Sequence, residues 1–187
     1  MKSVVLIGPP GSGKTTLMLG LRRRLADFHV MHYGLLQFEH YLEHPLILPG
    51  IWIDGDLTPG SDRLEPEAAD WLALLVRHAR HLNFQDGTVV LDGHKLLSTE
   101  LMTELRNHTE HHLIYLAVYG QSRIERQRQR PLGLMEFETR QALEDRYRNL
   151  SATYQPSESW LNETMADYER NLARLMELVG ITTEVAV

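Results

Sequence analysis

Residues 8 to 15 read Gly8-Pro9-Pro10-Gly11-Ser12-Gly13-Lys14-Thr15, a glycine-spaced turn closed by a lysine and a hydroxyl. Glycines at this spacing let successive main-chain N–H groups curl around an anion, and a helix that starts where the turn ends aims its positive end at the same point. The chemistry of such a loop is to hold the β-phosphate of a nucleoside triphosphate. Lys14 reaches the β- and γ-phosphates, and the Thr15 hydroxyl holds Mg²⁺. The context agrees: the apolar run Val4-Val5-Leu6-Ile7 precedes the loop and a helix-like stretch opens at Thr16. Gly8, Pro9, Pro10, Gly11, Ser12, Gly13, Lys14, Thr15 and Thr16 are the expected nucleotide site, with ATP as donor and Mg²⁺ as its ion.

Three further groups of residues carry chemistry. In Val89-Val90-Leu91-Asp92-Gly93-His94, a carboxylate follows a buried strand, at the end where ligands collect in parallel sheets. Asp92 there either holds a Mg²⁺-bound water or accepts the proton of an attacking hydroxyl; read otherwise, it starts a turn with Gly93. In the stretch from Ser122 to Arg130, Arg123, Arg126 and Arg130 fall on one narrow helical face, where they answer the negative charge that spreads over a phosphoryl group in transfer. Arg128 completes the basic stretch, and a plain solvated helix is its simpler reading. From Ile53 to Leu64, Asp54, Asp56, Asp62 and Arg63 cluster with turn residues before a helix. Either Ser61 or Asp62 caps that helix, or Arg63 grips a phosphate or base of an acceptor while an aspartate reads a donor group.

The elements that must position these residues follow from periodicity. A strand is expected at about 3–7, then a helix with Leu17, Met18, Leu21, Leu25 and Phe28 inward and Arg22, Arg23 and Arg24 on a solvated face. The chain from 30 to 60 is irregular, with strand-like fragments at 29–33 and 46–53. A helix over 65–82, a strand at 88–91, a helix capped by Ser98 and a strand over 113–119 come next. The remainder reads as helices at 122–130, 135–150 and 159–179, the last with Trp160, Met165, Leu172, Leu175, Met176 and Val179 on its inner face, and a short strand at 182–187. Alternating strands and helices around a phosphate loop imply an α/β fold, three layers deep, with a parallel five-stranded sheet.

Composition narrows the class. The 187 residues suit a single domain of 1–187, and 43% hydrophobic with 24% charged residues is ordinary for a soluble chain. A formal charge of −6 argues against broad adhesion to nucleic acid, and the absence of cysteine excludes disulfides, thiolate metal sites and a cysteine nucleophile. The ten histidines lack a metal-binding spacing; His108, His111 and His112 read as exposed helix-end or loop residues. No apolar run reaches membrane-spanning length and the first strand starts at once, so a cytoplasmic protein is expected.

Together, the loop, the Asp92-Gly93 pair and the arginine helix resemble the nucleoside and nucleotide kinase branch of P-loop NTPases. The resemblance implies that Gly8 to Thr16 bind ATP, that Thr15 and Asp92 serve the metal or, for Asp92, the acceptor, and that Arg123, Arg126 and Arg130 form a lid within about 120–150. It also places an acceptor-binding insert at about 33–64. Where adenylate kinases carry an aromatic residue, a proline and an arginine after Asp-Gly, this chain has His94-Lys95-Leu96, so AMP specificity does not follow. Asp145-Arg146-Tyr147 with Tyr154-Gln155 echoes a thymidylate kinase signature at altered position and spacing and is set aside. The segment Pro49-Gly50-Ile51-Trp52 through Gly60-Ser61-Asp62-Arg63-Leu64 is similar to an acceptor loop of small, largely phage-encoded P-loop kinases, some of which act on 5-hydroxymethyl pyrimidines within DNA. Three functions are therefore expected in order: a kinase for a free nucleoside or nucleotide; a kinase for a hydroxymethylated base in DNA, with Arg63, Lys95, Arg140, Arg146 and Arg148 on phosphates; and an ATP-dependent switch or ATPase. A guanine-type switch would need an Asn-Lys-x-Asp stretch, which the sequence lacks.

Overall fold

The computed structural model describes residues 1–53, 59–93, 95–128 and 137–181. In chain order the strands are β1 (Lys2–Ile7), β2 (Phe28–Tyr33), β3 (Leu36–Tyr41), β4 (Leu46–Pro49), β5 (Thr88–Leu91), β6 (Glu110–Ala117) and β7 (Glu158–Leu161). The helices are α1 (Lys14–Arg22), α2 (Ala68–Arg77), α3 (Thr99–His108), α4 (Gly120–Arg128), α5 (Phe137–Tyr154) and α6 (Met165–Leu178). One sheet of seven strands has the order β2-β3-β4-β5-β1-β6-β7.

The strands β4, β5, β1, β6 and β7 run parallel. Beyond them β3 pairs antiparallel with β4, and β2 with β3. The expected five-stranded sheet is thus corrected to seven strands, mixed in direction, because the segment read as irregular folds into a hairpin that extends the sheet.

β1 shows why this sheet is the centre. Its side chains alternate between two apolar clusters: Val5 and Ile7 join residues of α2, α3 and α5, whereas Val4 and Leu6 join residues of α1 and α6. Helices on both faces make the three expected layers, and each of these fully buried aliphatic side chains contributes about 1.5–3 kcal/mol. Ser98 caps α3 as expected, its side chain accepting from the Leu101 N–H at 3.0 Å.

Other boundaries differ. The helix expected over 159–179 is two elements. Glu158–Leu161 pairs with β6, and α6 starts only after Thr164, which shares a reciprocal capping box with Asp167. Trp160 is buried as expected, but from a strand. Phe28, expected inside a helix face, opens the exposed strand β2. Arg22 is not on a solvated face: its Nε is 3.0 Å from Oε2 of buried Glu39, and its Nη2 donates to the Trp52 carbonyl at 3.3 Å. The strand expected at 182–187 lies outside the described residues.

Candidate functional site

The loop between β1 and α1 takes its shape from glycines with positive φ. Gly13, the residue before α1, has φ 91, and a Cβ there would run into the Asn162 amide nitrogen. Only glycine can hold this conformation so close to a neighbouring side chain. Asn162 follows β7, donates from Nδ2 to the Ser12 carbonyl at 2.7 Å, and is itself steadied by the Asn171 amide at 3.4 Å. The last parallel strand therefore braces the loop from outside.

Lys14 is buried and lies inside the loop. Its Nζ donates to the carbonyls of Gly8 at 2.7 Å and Pro9 at 3.2 Å, and sits 4.8 Å from the centre of the Tyr147 ring. An ammonium curled within this turn is where β- and γ-phosphates would be met. Thr15, the next residue, donates from its hydroxyl to Oδ2 of Asp92 at 3.1 Å.

Asp92 is where the segments converge. It leaves β5 buried, and its Oδ1 lies 3.3 Å from the Ser61 hydroxyl, which also donates to the Asp92 carbonyl. Burial pushes its carboxyl up to about 6; the Asp62 carboxylate adds to that, and Lys14 with the Thr15 and Ser61 hydroxyls oppose it. Gly93, with φ 85, leaves room for this approach: a Cβ there would lie 2.5 Å from Asp62 Oδ1 and 2.6 Å from Ser61 Oγ. A hydroxyl and a carboxylate at the mouth of a phosphate loop are hard oxygen donors, and that set fits Mg²⁺, which takes one or two protein oxygens and completes its shell with phosphates and water. Among the described residues no group of three or more His, Asp or Glu side chains could hold a metal by itself.

The segment 59–63 is thereby placed. Ser61–Arg63 forms a short 3-10 turn, and α2 begins later, with Glu67 as the residue before it, so neither Ser61 nor Asp62 caps that helix. Ser61 and Asp62 instead line Asp92 and Gly93, and Arg63 is exposed. Asp54 and Asp56 lie outside the described residues, as does Arg130.

The arginine helix divides its work. Arg126 donates to the Glu163 carbonyl at 2.7 Å, and its Nη1 is 3.9 Å from where a Gly13 Cβ would stand, so it borders the phosphate loop. Arg123 pairs with Glu144 of α5 at 3.0 Å, and Arg128 is exposed. Of the three arginines expected to act together, the two described are engaged differently: Arg126 borders the loop surroundings and Arg123 ties α4 to α5.

Two contributors escape a reading of the sequence. Tyr147 is buried over Lys14, and burial together with the Asp62 and Asp92 carboxylates pushes its phenol upward. It belongs to the Asp145-Arg146-Tyr147 stretch that had been set aside. Asn162 was hidden inside an expected helix, although Thr164 with Asp167 marks a capping box that would have started the helix after it.

No family model matches the chain, and no curated protein sequence matches it. Solved structures do. An unliganded sugar kinase from Janibacter sp. HTCC2649 superposes with a TM-score of 0.52 at 15% identity, over 100% of this chain and 99% of that one. The APS kinase of Mycobacterium tuberculosis in complex with AMPPNP and APS gives 0.44 at 15% identity, over 95% and 96% of the two chains. A shikimate kinase from Bacteroides thetaiotaomicron gives 0.43 at 17% identity, over 96% and 99%. The chain shares the α/β fold of that sugar kinase along its whole length. No helix among the described residues is long and apolar enough to cross a membrane.

Proposed function

We propose that this chain is a kinase that moves the γ-phosphate of ATP to a hydroxyl of a nucleoside- or nucleotide-type acceptor. The observation that carries the reading is the meeting at Asp92: the Thr15 hydroxyl holds one carboxylate oxygen at 3.1 Å, and Ser61, from the segment read as the acceptor loop, stands 3.3 Å from the other. A loop that would carry the donor and a second polar segment, sharing one buried carboxylate, support a reading of transfer between two bound partners.

In this reading the loop amides and Lys14 bind the β- and γ-phosphates, and Thr15 with Asp92 holds Mg²⁺. The ion, when bound, neutralises phosphate charge. Arg126 adds positive charge beside Gly13, Asp62 orients the acceptor hydroxyl, and Tyr147 excludes water from the lysine. Arg63, exposed at the rim, meets a charged or polar end of the acceptor.

Of the two kinase readings, the arrangement favours a small acceptor. Two of the arginines assigned to a DNA backbone are engaged within the chain: Arg146 donates to the Leu97 carbonyl at 2.7 Å, and Arg148 pairs with Asp145 at 3.3 Å. A screen of labelled γ-phosphate transfer, offering nucleosides, nucleoside monophosphates, sugars, and plain and hydroxymethylated DNA, tests the assignment. One small acceptor should be labelled, and Lys14→Ala should abolish labelling while the far-UV spectrum is kept. Full transfer by Lys14→Ala, or phosphate release that no acceptor diminishes, would sink the proposal.

A further inference from the structure

The hairpin that extends the sheet ends in an edge strand with unusual exposure. Of the ten large hydrophobic side chains exposed among the described residues, Phe28, Val30 and Met31 lie in this strand, and Leu35 and Leu42 lie in the turn and just after β3. Val30 is 54% exposed and Met31 38%, and they project to opposite faces of the sheet, so both faces are open at the middle of β2, while Tyr33 at its end packs against Trp71 of α2. Edge strands are ordinarily guarded by lysine, proline, a bulge or an inward charge. The sequence Phe28-His29-Val30-Met31-His32-Tyr33 has none of the guarding residues, and its pairing with β3 is unbroken by a bulge.

The direction of the free main-chain groups can be read from the ladder. In antiparallel pairs, residues alternate between those that bond to the partner strand and those that bond away from it. Leu42 donates to the Asp27 carbonyl at 3.5 Å, in line with the register that sets Phe28 opposite Tyr41. Gln37, opposite His32, is bonded outward by the Gly50 N–H at 2.9 Å. Both place the odd-numbered residues of β2 on the β3 side. Phe28, Val30 and His32 therefore turn their N–H and C=O groups to the open edge, and among the described residues these groups make no bond outside the ladder.

We propose that β2 pairs with β2 of a second copy of this chain, antiparallel about a two-fold axis through Val30, joining two sheets into one. A two-fold axis normal to a sheet keeps each side chain on its own face, so paired residue numbers must sum to an even value. Only pairs of outward-bonding residues close the ladder. The register centred on Val30 satisfies both: Val30 faces Val30 of the second copy, Phe28 faces His32 twice, and His29 lies beside Met31 on the other face. No formally charged residue meets its like at neutral pH in this register, and apolar or aromatic side chains fill it.

A six-residue strand is about 20 Å long, so the contact falls at or below the low end of the roughly 1,200–2,000 Å² of stable interfaces. A weak, reversible association is expected, not an obligate dimer. The surface lies at the far edge of the sheet from β7 and does not involve the phosphate loop, so the inference stands independently of the proposed activity.

Sedimentation equilibrium of the full chain from about 1 to 200 µM should show a reversible monomer–dimer equilibrium. Val30→Lys sets two ammonium groups opposite each other on the axis and should shift the dissociation constant by at least tenfold, with thermal unfolding unchanged because the side chain is exposed. Val30→Pro should do the same by removing an outward N–H that β3 does not use. Register is tested by cross-linking, since the chain has no cysteine of its own. Val30→Cys should oxidise to a disulfide-linked dimer, the two Cα atoms of a bonded antiparallel pair being about 5.5 Å apart, whereas Met31→Cys should not. A wild-type chain that stays monomeric throughout, a dimer unaffected by Val30→Lys, or equal cross-linking by the two cysteine variants would each overturn the proposal.

Discussion

At its N-terminal end, α1 offers Lys14 to the carbonyls of Gly8 and Pro9, partners six and five residues away in sequence. At its C-terminal end, Arg22 meets Glu39 and the Trp52 carbonyl, partners seventeen and thirty residues away. One helix thus joins two regions built differently. The phosphate-loop end holds its lysine through carbonyls close by in sequence, with Asp92, Tyr147 and Asn162 brought against it by the fold. The hairpin end is fixed by a buried charge pair whose members find each other only in the folded chain. A lysine held by its own loop suits a turn that would meet phosphate, and long-range fixation suits a segment that extends a sheet and carries the chain to Ser61 and Asp62.

The comparison breaks most clearly at Glu39. Its carboxylate is buried, holds Arg22 at 3.0 Å and accepts from the Tyr41 hydroxyl at 2.6 Å. Glu39→Ala leaves a half-buried guanidinium and a buried phenol without their acceptor, and should cost about 3–5 kcal/mol. Urea unfolding measures it, and ATP affinity of the folded protein should remain within about twofold, a change of less than 0.5 kcal/mol. Arg22→Met with Glu39→Leu and Tyr41→Phe should recover most of the loss, since an apolar replacement of a buried pair is often neutral. A loss below about 1 kcal/mol for Glu39→Ala would mean that apolar packing alone holds the hairpin.

The same contrast explains what was legible in the sequence. The phosphate loop, β1, β5 and the Ser98 cap declare themselves through apolar runs and local capping chemistry, and all were read. β3 was not, because Leu36-Gln37-Phe38-Glu39-His40-Tyr41 carries a glutamate at a buried position, and apolar alternation has no place for a charge whose partner comes from another element. Arg22 was misread for the same reason, seen from the other side. At the site, Asp92 was legible as a polar residue ending a buried strand. Tyr147 and Asn162 were not, since each reaches the loop only through the packing of α5 or β7.

Asp92 sharpens the comparison, because the loop end keeps a charge that the fold would rather lose. Its carboxyl stands at about 6, above the ordinary unfolded value of about 3.9. The folded state therefore binds this proton more tightly than the unfolded chain does. The stability it confers is greatest below about pH 4 and falls as pH rises from about 4 to about 6. Asp92→Asn removes that fall and should stabilise the protein at pH 7 by about 1–3 kcal/mol, while Mg²⁺-dependent ATP binding disappears. Thermal unfolding across pH 4 to 8, paired with calorimetric titration of Mg²⁺·ATP, reads both. His111 must be kept intact in the comparison. Burial, with Arg106 and His112 nearby, lowers its imidazole to about 4, which gives a slope of the opposite sign between about pH 4 and 6.5. An Asp92→Asn protein that is less stable at pH 7 than the wild type would show that Asp92 is held by its hydroxyl partners more strongly than burial opposes it.

The smallest expected effect tests whether the brace at Asn162 belongs to the loop or merely lies against it. Asn162→Ala removes one donor from the Ser12 carbonyl and one acceptor from Asn171, and should cost about 1 kcal/mol in stability. If the brace holds the loop in its phosphate-ready shape, the ordering it supplied must then be met on binding, and ATP affinity should fall about fivefold. The decisive measurement is a double-mutant cycle with Gly13→Ala. Alone, that substitution adds a methyl group into the Asn162 amide at a backbone position with φ 91, and both the clash and the strained φ oppose it. In the Asn162→Ala background the clash is gone and only the strain remains, so the two substitutions together should be less damaging than their sum by at least about 0.5 kcal/mol. Additive losses in ATP affinity would place Asn162 outside the loop's working shape, leaving Asp92 and Tyr147 as the long-range partners of the loop end of α1.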